Sequence, residues 1–221
     1  MVTLPVEGRW TLHPLHEDDA PQVLEFLRRD PYANVYLISR LLEDPAAAAA
    51  QVFVVRLHHE IVLVVSLSTN IVLGSGPDTP RAAIDTATSL VADRIIGRML
   101  PVRAIISPAD LVESLWKRLR AYADPPTVVR LNQPIYVLRR GDFPSLETAR
   151  YATPHDLDQL VPACAAMHRE EVGIDPLERD PAGYRDRIRE LVEKKRSIVL
   201  RAGGTIVAKC EFSAITDQAV Q

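Results

Sequence analysis

Two stretches of the chain carry the two-residue apolar alternation of β-strands, and they read almost alike. Residues 53–68 are FVVRLHHEIVLVVSLS and residues 198–213 are IVLRAGGTIVAKCEFS. Aligned without a gap, they share Val54/Val199, Arg56/Arg201, Ile61/Ile206, Val62/Val207 and Ser68/Ser213. Each is two β-rich runs around a turn, His58 and His59 in the first and Gly203 and Gly204 in the second. Upstream, LHEDDAPQVLEFL at 15–27 pairs in the same way with ATPHDLDQLVPAC at 152–164. Both are strand ends running into an acid-capped helix.

Between these landmarks the apolar spacing predicts further elements. Residues 10–15 read as a first strand. Asp18 or Asp19 caps the next helix, whose stripe is Val23, Leu24, Phe26 and Leu27. A second helix covers 34–43, and the alanine run 46–50 is a connector. After the hairpin comes a further strand at 70–73. Thr79 and Pro80 open a long helix with Ile84, Ala87, Val91 and Ile95 three or four apart. Residues 102–106 read as a short buried strand. Ser107 to Asp110 read as a capping box before a helix carrying Leu111, Leu115, Trp116 and Leu119. Residues 128–138 are strand-like, with Pro134 at a bulge or edge. The best boundary is GDFPS at 141–145. The second part restarts with a strand at 148–152, a capping box at Thr153 and Asp156, and a helix that contains Pro162. A loop at 173–180 and a helix at 181–195 lead to the second hairpin.

Composition narrows the class. The chain has 221 residues, 47% hydrophobic and 25% charged, with net charge −3. No basic excess draws it to phosphate backbones, so nucleic acid is not an expected partner. The N-terminal MVTLPVEGRW reads as no signal peptide, and the most apolar run, 61–73, is too short to span a bilayer. No membrane partner is expected. Two cysteines make no disulfide framework, which suits a reducing cytoplasm. The histidines do not fall at metal-ligand spacing with cysteines or acids, so no metal is expected.

The element order, with particular stretches, resembles the GNAT superfamily of N-acetyltransferases, and more narrowly the bacterial tandem type with a degenerate N-terminal copy. The stretches are PYANVYL at 31–37 with Arg40, Ser107 and Pro108 with LWKRL at 115–119, and RLNQP at 130–134. In the second part they are VPACAAM at 161–167, EEVG at 170–173 with Pro176, and YRDR at 184–187. The resemblance implies an α/β fold, a mixed twisted sheet flanked by helices, in tandem. Residues 1–143 would be one complete, degenerate copy, and 147–221 the first half of a second. It implies transfer of an acetyl group from acetyl-CoA to a small-molecule or peptide amine. In that family a Gly-rich loop at a helix N-terminus holds the cofactor pyrophosphate, and a backbone amide at a splayed strand polarises the acyl carbonyl. This chain departs from the pattern there. The first copy has GSGPDTP at 74–80, without the family's Gln/Arg-x-x-Gly-x-Gly/Ala, and Asp78 would repel a phosphate. In the second copy the corresponding strand would begin near Ala219. Cofactor-binding residues are therefore left unassigned.

Several side chains are candidates under this resemblance. Glu170 and Glu171 lead into the loop that lines the acceptor side in GNAT folds. Two carboxylates there would attract a cationic amine, or they are a solvated helix end. Alternation puts Lys209, Glu211 and Ser213 on one strand face and Cys210 and Phe212 on the other. Glu211 is a candidate catalytic base if its face looks into the cleft, and otherwise part of an ion-paired face. Tyr184 and Arg187, one helical turn apart, either contact substrate or cover the sheet. Cys164 and His168 share a helix face, a spacing that permits a thiol–imidazole pair, but no third orienting group is evident and a helix-buried cysteine is usually core. Trp116 reads as core.

The expected function is thus an acetyl-CoA-dependent N-acetyltransferase, with the C-terminal copy catalytic. The alternative is a non-catalytic GNAT-like binding or interaction protein. A half domain whose third strand is left at the edge invites strand pairing or a homodimer.

Overall fold

In a computed structural model the described residues are 8–130, 133–139, 141–142 and 148–221. The chain divides into two compact units. One comprises Met1–Val137 with Ala214–Gln221, the other Leu138–Ser213. The predicted boundary residues 143–145 and domain edges 143 and 147 lie outside the described residues, as do Leu131 and Asn132 of the RLNQP stretch.

The first unit is built on a four-stranded sheet in the order β1 (Trp10–Pro14), β2 (Val52–Leu57), β3 (Glu60–Leu67), β4 (Ile71–Ser75), each pair antiparallel. Its central strands read as nearly continuous apolar runs because both faces are covered. Phe53, Val55, Leu57, Leu63 and Val65 point into a core closed by α4 (Arg81–Gly97) and α5 (Ala109–Leu119). Val52, Val54, Ile61 and Val64 point the other way, against α1 (Ala20–Leu27), α2 (Val35–Glu43) and α3 (Pro45–Gln51). The strand period of two sorts the side chains between these cores, and the extra residue Val62 shifts it on β3 so that Ile61 joins the face of Val64.

The alanine run is not a connector but α3. Asp44 accepts the Ala47 N–H at 2.9 Å, and Pro45 takes the first helical position, where its missing donor costs nothing. Residues 102–106 do not form a strand. Only Ile105 pairs, in a parallel bridge with Ile71. The Ser107 hydroxyl does not cap α5. It accepts the Leu73 N–H at 2.7 Å and donates to the Ile106 carbonyl at 2.6 Å. An amide left open on the edge of β4 outcompetes a local cap, because a buried donor without a partner is costly. The described residues of 128–138 carry no strand, and Val128, Val129, Ile135, Tyr136 and Leu138 are exposed.

The second unit has a three-stranded antiparallel sheet in the order β5 (Ala149–Tyr151), β6 (Ser197–Ala202), β7 (Thr205–Glu211). One face is covered by α6 (Leu157–Val172) and α8 (Pro181–Glu193), around Leu160, Val161, Cys164, Ile188, Val192 and Val199. The loop between these helices contains a short helix α7 (Pro176–Arg179). The helix α6 continues through Pro162 and ends at Gly173, whose φ of 76° forms a left-handed C-terminal cap.

Residues 214–221 do not start a strand of the second sheet. They fold back through an Ile215–Val220 bridge and belong to the first unit. There the Ile215 N–H donates to Ser39 Oγ at 3.1 Å, and Arg28 pairs with Asp217 at 3.2 Å.

Candidate functional site

The two hairpins share more than sequence. Both are bulged at the same aligned place, between Val55 and Arg56 and between Leu200 and Arg201. The extra residue lies on the second strand of each hairpin, Val62 in one and Val207 in the other, opposite the step into the arginine. In each unit that arginine reaches the start of the first long helix. Arg56 pairs with Asp19 at 2.9 Å, and Arg201 with the aligned Asp156 at 2.5 Å. Arg56 donates to the His59 carbonyl at 2.7 Å, as Arg201 does to that of Gly204. The aligned glutamines join in. Gln22 accepts from Arg56 at 2.9 Å, while Gln159 donates to Gly204 O at 3.2 Å and accepts from Ile206 N–H at 2.9 Å. The clamp fastens each helix start to its hairpin turn. In the second unit Asp156 also accepts from Arg150 and from the Thr153 amide and hydroxyl. The Arg150 guanidinium beside it holds this carboxyl far below the usual carboxylate range, against the opposing effect of burial. These charged residues are structural fasteners.

The candidate side chains gather on the helix-covered face of the second sheet. Glu211 and Lys209 sit two apart on β7 and form an ion pair at 2.8 Å, the two side chains 18% and 11% exposed. Glu211 Oε1 also accepts the Cys164 thiol at 3.0 Å. Lys209 Nζ lies 3.4 Å from Met167 Sδ. Tyr184, half-buried on α8, lies beside the His168 ring with centroids 6.4 Å apart. Burial, and then the Cys164 and Glu211 groups, push the Tyr184 phenol up, with Arg187 acting the other way. Glu211, Tyr184 and Arg187, three of the five predicted site residues, therefore share one electrostatic neighbourhood. Glu170 and Glu171 lie exposed on the last turn of α6. Glu171 follows Cys164 by two helical turns, about 10 Å along the axis.

This geometry replaces the thiol–imidazole pair. Cys164 bonds to Glu211, and His168 turns to Tyr184. Burial foremost, and then Glu211, push the Cys164 thiol up to about 12. Such a thiol stays protonated at neutral pH and is no nucleophile. The partners Lys209 and Cys164 were not assigned to Glu211 from sequence. Alternation already placed Lys209 and Glu211 on one face, but the thiol comes from 47 residues away.

In the first unit, the outer side of β4 is bonded at Ile71. Ile71 N–H donates to Ala104 O, and Ile106 N–H to Ile71 O, both at 2.9 Å. Beyond this bridge Ser107 takes the Leu73 amide, and Asn34 Nδ2 donates to Ser75 O at 3.1 Å. Pro77 and Pro80 supply no amides before α4, and Asp78 is exposed. A cleft of about 200 Å³ is lined by Gln22, Glu25, Phe26, Arg29, Glu60 and Ile61. That is smaller than the roughly 300–1,000 Å³ of ordinary small-molecule sites. Among the described residues, no group of three or more His, Cys, Asp or Glu is placed to hold a metal, and no helix is long and apolar enough to cross a membrane.

No protein-family model matches the chain, and neither a curated protein nor a solved structure does.

Proposed function

We propose that the chain carries two related copies of an N-acetyltransferase fold and serves acetyl transfer from acetyl-CoA to an amine, with the acceptor side in the second copy. The observation that carries this reading is the shared clamp and bulge, because two units with the same fastener at the same aligned positions point to one fold used twice. The antiparallel β1–β4 order, followed by α4 and the parallel Ile71–Ile105 bridge, supports the acetyltransferase assignment.

In the second copy, Glu170 and Glu171 offer negative charge to a cationic amine. Glu211 is the base candidate, and it is held by Lys209 until an amine displaces that ammonium. Tyr184 and Arg187 border the same face. The first copy does not fit acetyl-CoA. Ser107 occupies the Leu73 amide, and the loop at 76–80 presents two prolines and an acid where a pyrophosphate needs amides. That closure favours a second reading for the first unit, a non-catalytic scaffold or interaction module.

Calorimetry of the full chain with acetyl-CoA, and with free CoA alongside, tests the assignment. Saturable binding supports a surviving cofactor site, and an amine screen then follows activity against Glu211→Gln. No heat at about millimolar ligand, the weak end of measurable affinity, refutes acetyl transfer by this chain and leaves the interaction reading.

A further inference from the structure

Among the described residues β7 ends its sheet, while the aligned strand β3 in the first unit is bonded on both sides, by β2 and by β4. The orientation of its backbone is settled by neighbouring bonds. Phe212 N–H donates to Arg196 O at 2.8 Å, so the antiparallel alternation turns Phe212, Cys210 and Ala208 toward β6. Lys209 and Glu211 therefore present their N–H and C=O groups outward, along the open edge.

An open edge with an inward lysine normally repels a copy of itself, since the two ammonium groups meet across the two-fold axis. Here the lysine is followed two residues later by a glutamate. Self-pairing centred on Lys209 or on Glu211 sets like charges opposite each other. Pairing centred on Ala208 puts Lys209 opposite Val207 and Glu211 opposite Thr205. Only the register centred on Cys210 sets Lys209 against Glu211, twice, and these are the residues whose backbone N–H and C=O groups point outward, the Glu211 carbonyl taking a long 4.0 Å contact from the Cys210 thiol.

We propose that β7 pairs antiparallel with β7 of a second copy of this chain, about a two-fold axis at Cys210, to make a continuous six-stranded sheet. Four backbone hydrogen bonds join the two Lys209–Glu211 pairs, and each internal Lys209–Glu211 ion pair becomes part of a four-charge cluster. Cys210 projects from the opposite face, where it is exposed. It meets its own symmetry mate in a non-hydrogen-bonded pair, with Cα atoms about 4.5 Å apart. That separation lies within the range a disulfide spans.

The geometry supplies its own readout. Diamide oxidises the two facing thiols to one disulfide. It takes up their two electrons and two protons and becomes the hydrazine. The full chain in light scattering after gel filtration is expected to be a dimer under reducing conditions, and diamide is expected to lock it through Cys210. Cys210→Ser should remain a dimer and lose the cross-link. Cys210→Lys, at an exposed position that leaves the fold intact by circular dichroism, should be a monomer, because two ammonium groups then face each other. A monomeric wild-type chain at its highest soluble concentration overturns the proposal. A dimer that Cys210→Lys leaves intact, or one that diamide fails to link through Cys210, overturns it as well. Acetyl-CoA binding plays no part in this test, so its outcome is independent of the activity.

Discussion

Replacing Asp156 by alanine removes the centre of the second unit's clamp. The side chain is 1% exposed and accepts from Arg150 at 2.8 and 3.0 Å, from Arg201 at 2.5 Å, and from the Thr153 amide and hydroxyl at 2.8 and 2.9 Å. Breaking a buried ion pair by deleting one partner costs about 3–5 kcal/mol, because the other charge is stranded. Arg201 and Arg150 are 28% and 44% exposed and regain some water, so the lower end applies, about 3 kcal/mol. At about 1.4 kcal/mol per factor of ten, that raises the open population of the second unit roughly a hundredfold. Cys164 is a built-in reporter, being a buried thiol in that unit. In a Cys210→Ser background its labelling by a thiol reagent follows opening of the second unit. Both tryptophans, Trp10 and Trp116, lie in the first unit, so urea unfolding by tryptophan fluorescence should stay put. The pH dependence has a definite sign. The Asp156 carboxyl is held below its ordinary value in the folded state. Its contribution is therefore complete above about pH 4, near the unfolded pKa, and is lost as pH falls through the lower folded value. Asp156→Ala should flatten that acid limb. A labelling change under tenfold, or an equal shift of the tryptophan transition, would refute the reasoning.

Gly74→Ala in the first unit puts a methyl 2.5 Å from Asn34 Oδ1, 2.7 Å from Leu37 and 2.9 Å from Leu27. The overpacking should cost about 1–3 kcal/mol in urea unfolding followed by tryptophan fluorescence, and an unchanged midpoint would show that Asn34 moves aside freely. Glu211→Gln takes away the acceptor charge beside Cys164, so the thiol should titrate below its present value of about 12 while burial keeps it above an ordinary cysteine. Thiolate absorbance against pH in the Cys210→Ser background measures this, and an unmoved titration would mean that Glu211 does not face the thiol.

Local pattern was enough for most elements. The period of two in FVVRL and EIVLVVSL, and the period of 3.6 in Ile84, Ala87, Val91 and Ile95, describe segments whose own faces must be buried. The duplication was legible for the same reason, since aligned Arg56 and Arg201 do the same work against Asp19 and Asp156. Pattern failed where a distant group offered a better partner. Ser107 looked like a helix cap but satisfies Leu73, 34 residues away. The alanine run was a different kind of miss, since its signals are local: Asp44 caps it, Pro45 opens it, and alanine is the strongest helix former.

The candidate site divides in the same way. The sequence alone placed Lys209 and Glu211 on one strand face, because alternation is a property of the backbone. Only tertiary structure brought Cys164 and Tyr184 to them. Hydrogen bonds and fields act through space between α6, α8 and β7, and no spacing along the chain records which helix face meets which strand. The last residues make the same point. By pattern, residues near Ala219 continue the second copy, whereas the folded chain returns them to the first unit through Ser39 and Arg28. Local preference determines what a short segment becomes, and long-range burial and pairing decide where it belongs.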